Sequence, residues 1–245
     1  NGSTTDSSTP VPVSNLTGVI AIAGGWGHSL ALTSGGTVYA WGYNEYGQLG
    51  NESTINSSTP VPVSNLTGVI AIAEGYYNSL ALTSDGTVYA WGWNNHSQLG
   101  NKSMAYSSTP VQVSGLPPVV AIAGENSHFL ALTRDGTVYA WGYNQDGQLG
   151  NGSTIDSSTP VQVSGLPRVI AIAGGGGHSL ALTSDGTVYA WGLNDRGQLG
   201  NGSTTDSSTP VPVSNLTGVI AIAGGWGHSL ALTSGGTVYA WGYNE

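Results

Sequence analysis

Cysteine is absent from all 245 residues, so neither disulfides nor thiolate metal sites are available to hold the chain together. Cations are nearly absent too: Lys and Arg total 4 against 13 Asp and Glu, a formal net charge of -9. A phosphate backbone needs a Lys/Arg surface to replace its counterions, which argues against nucleic-acid binding. An anionic membrane surface is disfavoured for the same reason. Only 7% of the residues are charged, so solvation falls to Ser, Thr, Asn and exposed backbone. No apolar run approaches the roughly 20 residues of a membrane-spanning helix. Neither a signal peptide nor an initiating Met is visible, and a mature or excised segment is expected.

What is present is a repeat. Residues 1–45 and 201–245 are identical, and the same pattern recurs between them at a spacing of 50. Trp41, Trp91, Trp141, Trp191 and Trp241 are equivalent, as are Pro10, Pro60, Pro110, Pro160 and Pro210. A period of about 40–50 residues with strand-like content is the signature of propeller blades. Each unit reads as four strands. Residues 19–23 alternate large and small side chains, with Ile20 and Ile22 on one face and Val19, Ala21 and Ala23 on the other. Such small residues suit the crowded inner strand beside a central channel. Residues 28–33 form the second strand. Residues 37–41 form the third, across a Ser-Gly-Gly or Ser-Asp-Gly turn expected to be type I′. Residues 8–13 carry two prolines, which remove ladder donors and confine that strand to the outer edge.

The expected fold is therefore all-β: a β-propeller of four-stranded blades built from five 50-residue repeats in one domain, residues 1–245. The blade units run approximately 19–63, 69–113, 119–163 and 169–213, with 219–245 completed by 1–13. In that count the N-terminal outer strand closes the last blade and latches the ring.

Residues 185–200 (DGTVYAWGLNDRGQLG), 207–213 (SSTPVPV) and 223–232 (AGGWGHSLAL) together resemble the regulator-of-chromosome-condensation repeat, and the likeness extends to every copy. The resemblance implies a propeller, usually of seven blades. It also implies a range of non-catalytic roles: nucleotide exchange on a small GTPase with chromatin binding, ultraviolet sensing, and β-lactamase inhibition. The scarcity of cations speaks against the chromatin role. The stretch 25–29 (GWGHS) carries Gly27, repeated as Gly227, where ultraviolet-sensing members carry an arginine, so light sensing is not expected.

Comparing the copies with one another separates what a blade requires from what it tolerates. The strands barely vary. Variation gathers at 25–27, 43–47 and 52–56 and their counterparts 50 residues on, and variable loops on a rigid scaffold are where binding usually resides. Trp26, Tyr76, Tyr77, Asn126 and Trp226 are the candidate ligand-binding residues on that loop face; the aromatic ones are flat and amphipathic. His28, His128, His178 and His228 share one blade position with Asn78. Two readings stand: a ring of imidazoles around the pore, or side chains that cap the Gly-rich turn, which Asn does equally well. The second is favoured. The Gly-rich stretch at 174–177 lacks the P-loop context and is read as turn geometry.

No catalytic residues are assigned. Glu74 and Glu125 lie in loops of adjacent blades, but each occurs in one copy only, and no triad is in register. No metal site and no cofactor is expected; Asp146, Asp156, Asp195 and Asp206 lack the dense ligand spacing of a calcium loop. Asn-x-Ser/Thr occurs at Asn1, Asn15, Asn51, Asn56, Asn65, Asn95, Asn101, Asn151, Asn201 and Asn215. These are glycosylation candidates if the chain is secreted.

The function expected is a non-enzymatic, extracellular or cell-surface interaction module. Its partner is a protein or carbohydrate, held by variable loops on one face, with no nucleic acid and no membrane insertion. The alternatives are a bead of a longer, glycosylated repetitive fibre that associates with copies of itself, and an engineered, symmetrised propeller.

Overall fold

The computed structural model describes residues 1–244. The first blade contains β1 (Val19–Gly24), β2 (His28–Thr33), β3 (Val38–Gly42) and β4 (Ser57–Pro62). The second contains β5 (Val69–Glu74), β6 (Asn78–Thr83), β7 (Val88–Gly92) and β8 (Ser107–Gln112). The third contains β9 (Val119–Glu125), β10 (His128–Thr133), β11 (Val138–Gly142) and β12 (Ser157–Gln162). The fourth contains β13 (Val169–Gly174), β14 (His178–Thr183), β15 (Val188–Gly192) and β16 (Ser207–Pro212). The fifth contains β17 (Val219–Gly224), β18 (His228–Thr233) and β19 (Val238–Gly242). Every blade is an antiparallel meander in chain order, and the proline-bearing strand is outermost. That position suits Pro, which has no N–H to give a further neighbour.

The hydrophobic cores lie between blades rather than within them. Leu30, Leu32, Val38, Leu49 and Val63 of the first blade pack with Ala81 and Trp91 of the second. The pattern repeats at each boundary up to the fifth blade. Trp91, Trp141 and Trp191 are fully buried, and each indole N–H donates across the boundary, to Gln48 O, Gln98 O and Gln148 O respectively, at 2.8–2.9 Å. The recurring Trp is thus the blade-to-blade anchor its spacing implied.

Three expectations need correction. First, the innermost strand does not alternate strictly. A bulge between Val19 and Ala21, repeated in the other copies, turns Ile20 and its equivalents to solvent, because an extra residue on one strand flips the pleat. Second, the 33–37 turn is not type I′. Only its glycine has positive φ, 75° at Gly36 and 85° at Gly86, which fits a type I turn followed by a left-handed glycine. Asp85 supports that turn by accepting from Thr83 Oγ1 at 2.6 Å and from Thr87 N–H at 3.0 Å.

Third, residues 8–13 form no strand, and the fifth blade has three strands among the described residues. The N-terminal segment lies along the first blade instead. Gly2 N–H donates to Ser58 O at 3.1 Å, the bond that Glu52, Lys102 and Gly152 make to Ser108, Ser158 and Ser208. Residues 1–6 therefore follow the same local pattern relative to blade 1 that residues 51–56 follow relative to blade 2. The fold is an open arc. Val238 and Tyr239 on the last blade are 64% and 46% exposed, whereas Val188 is 1% exposed, and Ile22 on the first blade is 78% exposed.

Candidate functional site

The histidines do not cap their own turns. His28 Nε2 lies 2.9 Å from Ser79 Oγ of the next blade, His128 Nε2 2.8 Å from Ser179 Oγ, and His178 Nε2 2.8 Å from Ser229 Oγ. Each serine donates its own proton to a glutamine carbonyl, Gln48, Gln148 or Gln198. The serine oxygen must then accept, so the proton sits on Nε2 of the imidazole. Burial holds His28 down to about 4, His128 to about 3 and His178 to about 4. These are neutral latches between blades. Gly25, Gly175 and Gly225 lack a side chain because a Cβ there would stand 2.1–2.7 Å from the imidazole. The glycine run is thus explained by close approach rather than by turn geometry alone.

One boundary departs from this rule in both partners. Asn78 replaces the histidine, and the residue 51 positions on is Phe129 instead of serine. Asn78 Nδ2 reaches Trp93 O at 3.3 Å, and Phe129 fills the space against Trp141 with ring centroids 5.9 Å apart. Losing either latch partner alone would orphan the other; losing both exchanges a polar contact for an apolar one. We expect Asn78→His and Phe129→Ser to destabilise singly, and the double variant to recover about 1–3 kcal/mol relative to their sum. A denaturant-unfolding cycle measures that coupling.

The loops at this same end of the strands build the exposed face. The 43-position follows Gly42, and Tyr43 N–H donates to Gly27 O at 2.7 Å, tying the two variable loops of a blade together. In the first three blades those loops carry rings. Trp26 stacks on Tyr76 (centroids 5.1 Å, 22° between planes), and Tyr76 meets Tyr77 at 4.6 Å. Tyr77 meets Tyr46 at 5.2 Å, Tyr46 meets Trp93 at 6.2 Å, Trp93 meets His96 at 5.5 Å, and His96 meets Tyr143 at 4.9 Å. The result is an aromatic ridge across three blades. Tyr43 joins it at Tyr77 (5.5 Å) and donates to Glu45 Oε2, which pushes its hydroxyl up to about 12.

Of the five sequence candidates, Trp26, Tyr76 and Tyr77 come together on this ridge. Trp226, 75% exposed, stands apart, on the fifth blade. Asn126 serves the scaffold: its O accepts from Tyr76 N–H at 2.7 Å and its Nδ2 donates to Gly176 O at 2.8 Å, linking three consecutive loops. Tyr43, Tyr46, Trp93, His96 and Tyr143 complete the ridge but were not singled out from the sequence as a group. Their signal was a ring at the 43 position in every copy but the fourth, joined in the first two copies by Tyr46 and His96 where later copies carry Asp146 and Arg196.

Trp26, Tyr76, Asn126 and Trp226 also line an axial basin of about 620 Å³, together with Ala and Gly of the inner strands and with Glu74 and Glu125. Glu74 stands where the other copies have glycine. Its side chain is 3% exposed and 3.9 Å from His28 Nε2, and its carboxyl meets only a weak backbone contact from Leu30, neither oxygen making a well-formed hydrogen bond. Burial raises it to about 8 and raises Glu125 to about 7. Since burial also keeps His28 neutral and its Nε2 proton faces Ser79, the Glu74–His28 approach is not an ion pair at neutral pH.

The remaining candidates have local roles. Asp156 and Asp206 accept from the backbone of Asn144 and Asn194. No group of three or more His, Asp or Glu fit for a metal ion occurs among the described residues. Asn1, Asn101, Asn151 and Asn201 each accept from the N–H two residues on, at 2.9–3.1 Å, and the Ser there accepts in turn through its hydroxyl from the N–H two residues further, at 2.9–3.1 Å, giving both residues of each tripeptide a turn-forming role. Asn51 and Asn56 accept from Asn44. Asn15, Asn65 and Asn215 hold left-handed backbone at φ 55–58°. Asn95 is exposed.

The repeat described as "Regulator of chromosome condensation (RCC1) repeat" matches residues 35–82, 85–132, 135–182 and 185–232. The chain belongs to the RCC1 repeat family. Human WBSCR16 superposes with a TM-score of 0.82 at 30% identity, over 92% of this chain and 62% of its own. Prp20p of Saccharomyces cerevisiae, a protein characterised for its binding to Gsp1p and histones, superposes with a TM-score of 0.80 at 25% identity, over 97% and 59%. The Ultraviolet-B receptor UVR8 of Arabidopsis thaliana is 59% identical over 29 residues, 12% of this chain and 7% of the receptor. The RCC1-repeat arc thus spans about three fifths of the length of the structurally similar relatives. All five sheets, the absence of helices among the described residues and the ~50-residue repeat agree with that family's propeller architecture.

Proposed function

We propose that this RCC1-repeat chain is a non-enzymatic interaction module that docks a protein partner on its aromatic loop face. The observation that carries the reading is the continuous ridge from Trp26 to Tyr143, formed of half-buried and exposed rings on loops that are tied to one another by backbone bonds. Stacked rings expose flat apolar area whose ordering has already been met by their mutual contacts, which favours a partner surface. Each ring position carries a non-aromatic residue in at least one other copy, among them Asn126, Gly176, Ser127, Leu193, Asp146 and Arg196, so the blade itself does not require them. Protein binding by relatives such as Prp20p supports the same class of role.

A photo-crosslinking side chain at Tyr46, on the ridge, is expected to capture a discrete partner in extracts of the source organism. The same group at Asp85, at the opposite end of the strands, is not. Capture at Tyr46 is expected to fall at least tenfold when Trp26 and Tyr76 are both replaced by Ala. Equal capture from the two positions would refute the assignment of the face.

A further inference from the structure

The axial basin is not explained by packing. Its lining includes two carboxyl side chains, Glu74 and Glu125, three large aromatic ones, Trp26, Tyr76 and Trp226, and no Lys, Arg or His. Glu74 is the unusual member: nine-tenths buried and more, with no well-formed hydrogen bond on either oxygen and only a weak contact from the Leu30 backbone, on a strand whose equivalent position is glycine in the other four copies. A buried polar group left unpaired is destabilising, and glycine at the equivalent position of the other four copies shows that the blade has no structural need for a carboxyl there. Around the carboxyls, the exposed indoles of Trp26 and Trp226 and the Tyr76 ring offer π faces that attract cations.

We propose that the basin binds an organic cation, an ammonium or guanidinium group, between the Glu74 and Glu125 carboxyls and the faces of Trp26, Tyr76 and Trp226. A metal ion fits less well, since the described residues hold no cluster of three ligating side chains and the basin, at about 620 Å³, is far wider than one ion. The chain's surplus of nine negative charges favours a cation's approach. Both carboxyls are held protonated near neutrality by burial, so the cation displaces protons and binds more tightly as pH rises. The groups that face Glu74 are His28, neutral in this range, and through the basin Glu125 and Tyr76. This inference deepens the proposed docking face by naming the chemistry the partner inserts at its centre, and rests on that reading only for the source of the cation.

Calorimetric titration of the full chain tests it, with hexylammonium and hexanol as one pair, and the peptides Ac-GGKGG-amide and its acetyl-lysine form as the other. Hexylammonium is expected to bind at least tenfold more tightly than hexanol, and several-fold more tightly at pH 8.5 than at pH 6. Glu74→Gln is expected to weaken it about tenfold and Glu125→Gln less, while Trp93→Ala on the ridge leaves it unchanged. Tighter binding of the lysine peptide than of the free amine assigns the cation to a partner's side chain; the reverse assigns it to a free amine. Equal binding of amine and alcohol, or no loss in either Glu variant with folding intact, overturns the proposal. Photo-crosslinking at Tyr46 that survives Glu74→Gln would then leave the docking face standing without it.

Discussion

Replacing Trp141 with Ala is expected to cost about 3–5 kcal/mol of folding free energy, the range for large aromatic truncations in a packed core. Trp141 is fully buried among Leu80, Leu99, Val113 and Phe129, at the boundary of the second and third blades. Its indole N–H is the donor to Gln98 O at 2.9 Å. At the three other boundaries the equivalent carbonyl also receives a serine hydroxyl: Gln48 O receives Ser79, Gln148 O receives Ser179 and Gln198 O receives Ser229. Phe129 removes that second donor here, so truncation of Trp141 strips Gln98 O of its hydrogen bond as well as opening a cavity. Trp26→Ala is the contrasting variant. Its ring is 63% exposed and stacks on Tyr76, and its loss should cost under about 1 kcal/mol. Unfolding free energies from urea titration compare the two directly. Similar losses in both would contradict the division into anchor and surface tryptophans.

That division was legible in the sequence, because internal repetition supplies its own comparison. Trp41 and its four equivalents never vary, whereas the position of Trp26 holds Tyr76, Asn126 and Gly176 in other copies. Strand order, the outer placement of the proline strand and the inner placement of the Ala-rich strand followed from residue size and missing donors. What the sequence hid was relational. The ridge joins the 43–47 loop of one blade to the 75–77 loop of the next, and no single 50-residue unit contains both sides of that contact. The histidine latch was hidden in the same way. His28 and Ser79 are 51 residues apart, and only the paired departure at Asn78 and Phe129 marks them as partners. Ring closure was misjudged because counting strands says nothing of curvature. The N-terminal segment finds at Ser58 the same bond that the other copies find at their neighbours, and nothing then draws it to β19. Glu74 and Glu125 were visible as singular residues, but the burial of Glu74 depends on the neighbouring blade, which places Gly25 and His28 against it.

The latches also set the response to pH. His28, His128 and His178 are neutral in the folded chain, with protonation held down to about 4, 3 and 4 by burial, against an unperturbed value of about 6.5. Between those values the unfolded chain binds protons that the folded chain refuses, so stability is full above pH 6.5 and is lost as pH falls. Glu74 and Glu125 act in the opposite sense. Their folded values, about 8 and about 7, lie above the carboxylate range, so the folded chain keeps protons that the unfolded chain releases, and stability declines from about pH 4.5 upward until each ionises. From pH 4.5 to 6.5 three histidines outweigh two carboxyls by one proton. Below 4.5 the histidines act alone, and above 6.5 the carboxyls do. Each uncompensated proton contributes about 1.4 kcal/mol per pH unit, so a maximum near pH 6.5 is expected, with an acid limb of about one proton that steepens below pH 4.5 and an alkaline limb that levels off once both carboxyls ionise. Urea midpoints measured from pH 3 to 9 trace this profile. Glu74→Gly, which restores the residue of the other four copies, should remove about one proton from the alkaline limb, steepen the acid limb by about one proton between pH 4.5 and 6.5, and leave the limb below 4.5 intact. His128→Asn should do the reverse, flattening the acid limb by about one proton. A profile that is flat below pH 4.5 and falls from there to 6.5 would mean that the latches are charged in the folded state, and the serine-to-glutamine relay that fixes their tautomer would have to be abandoned.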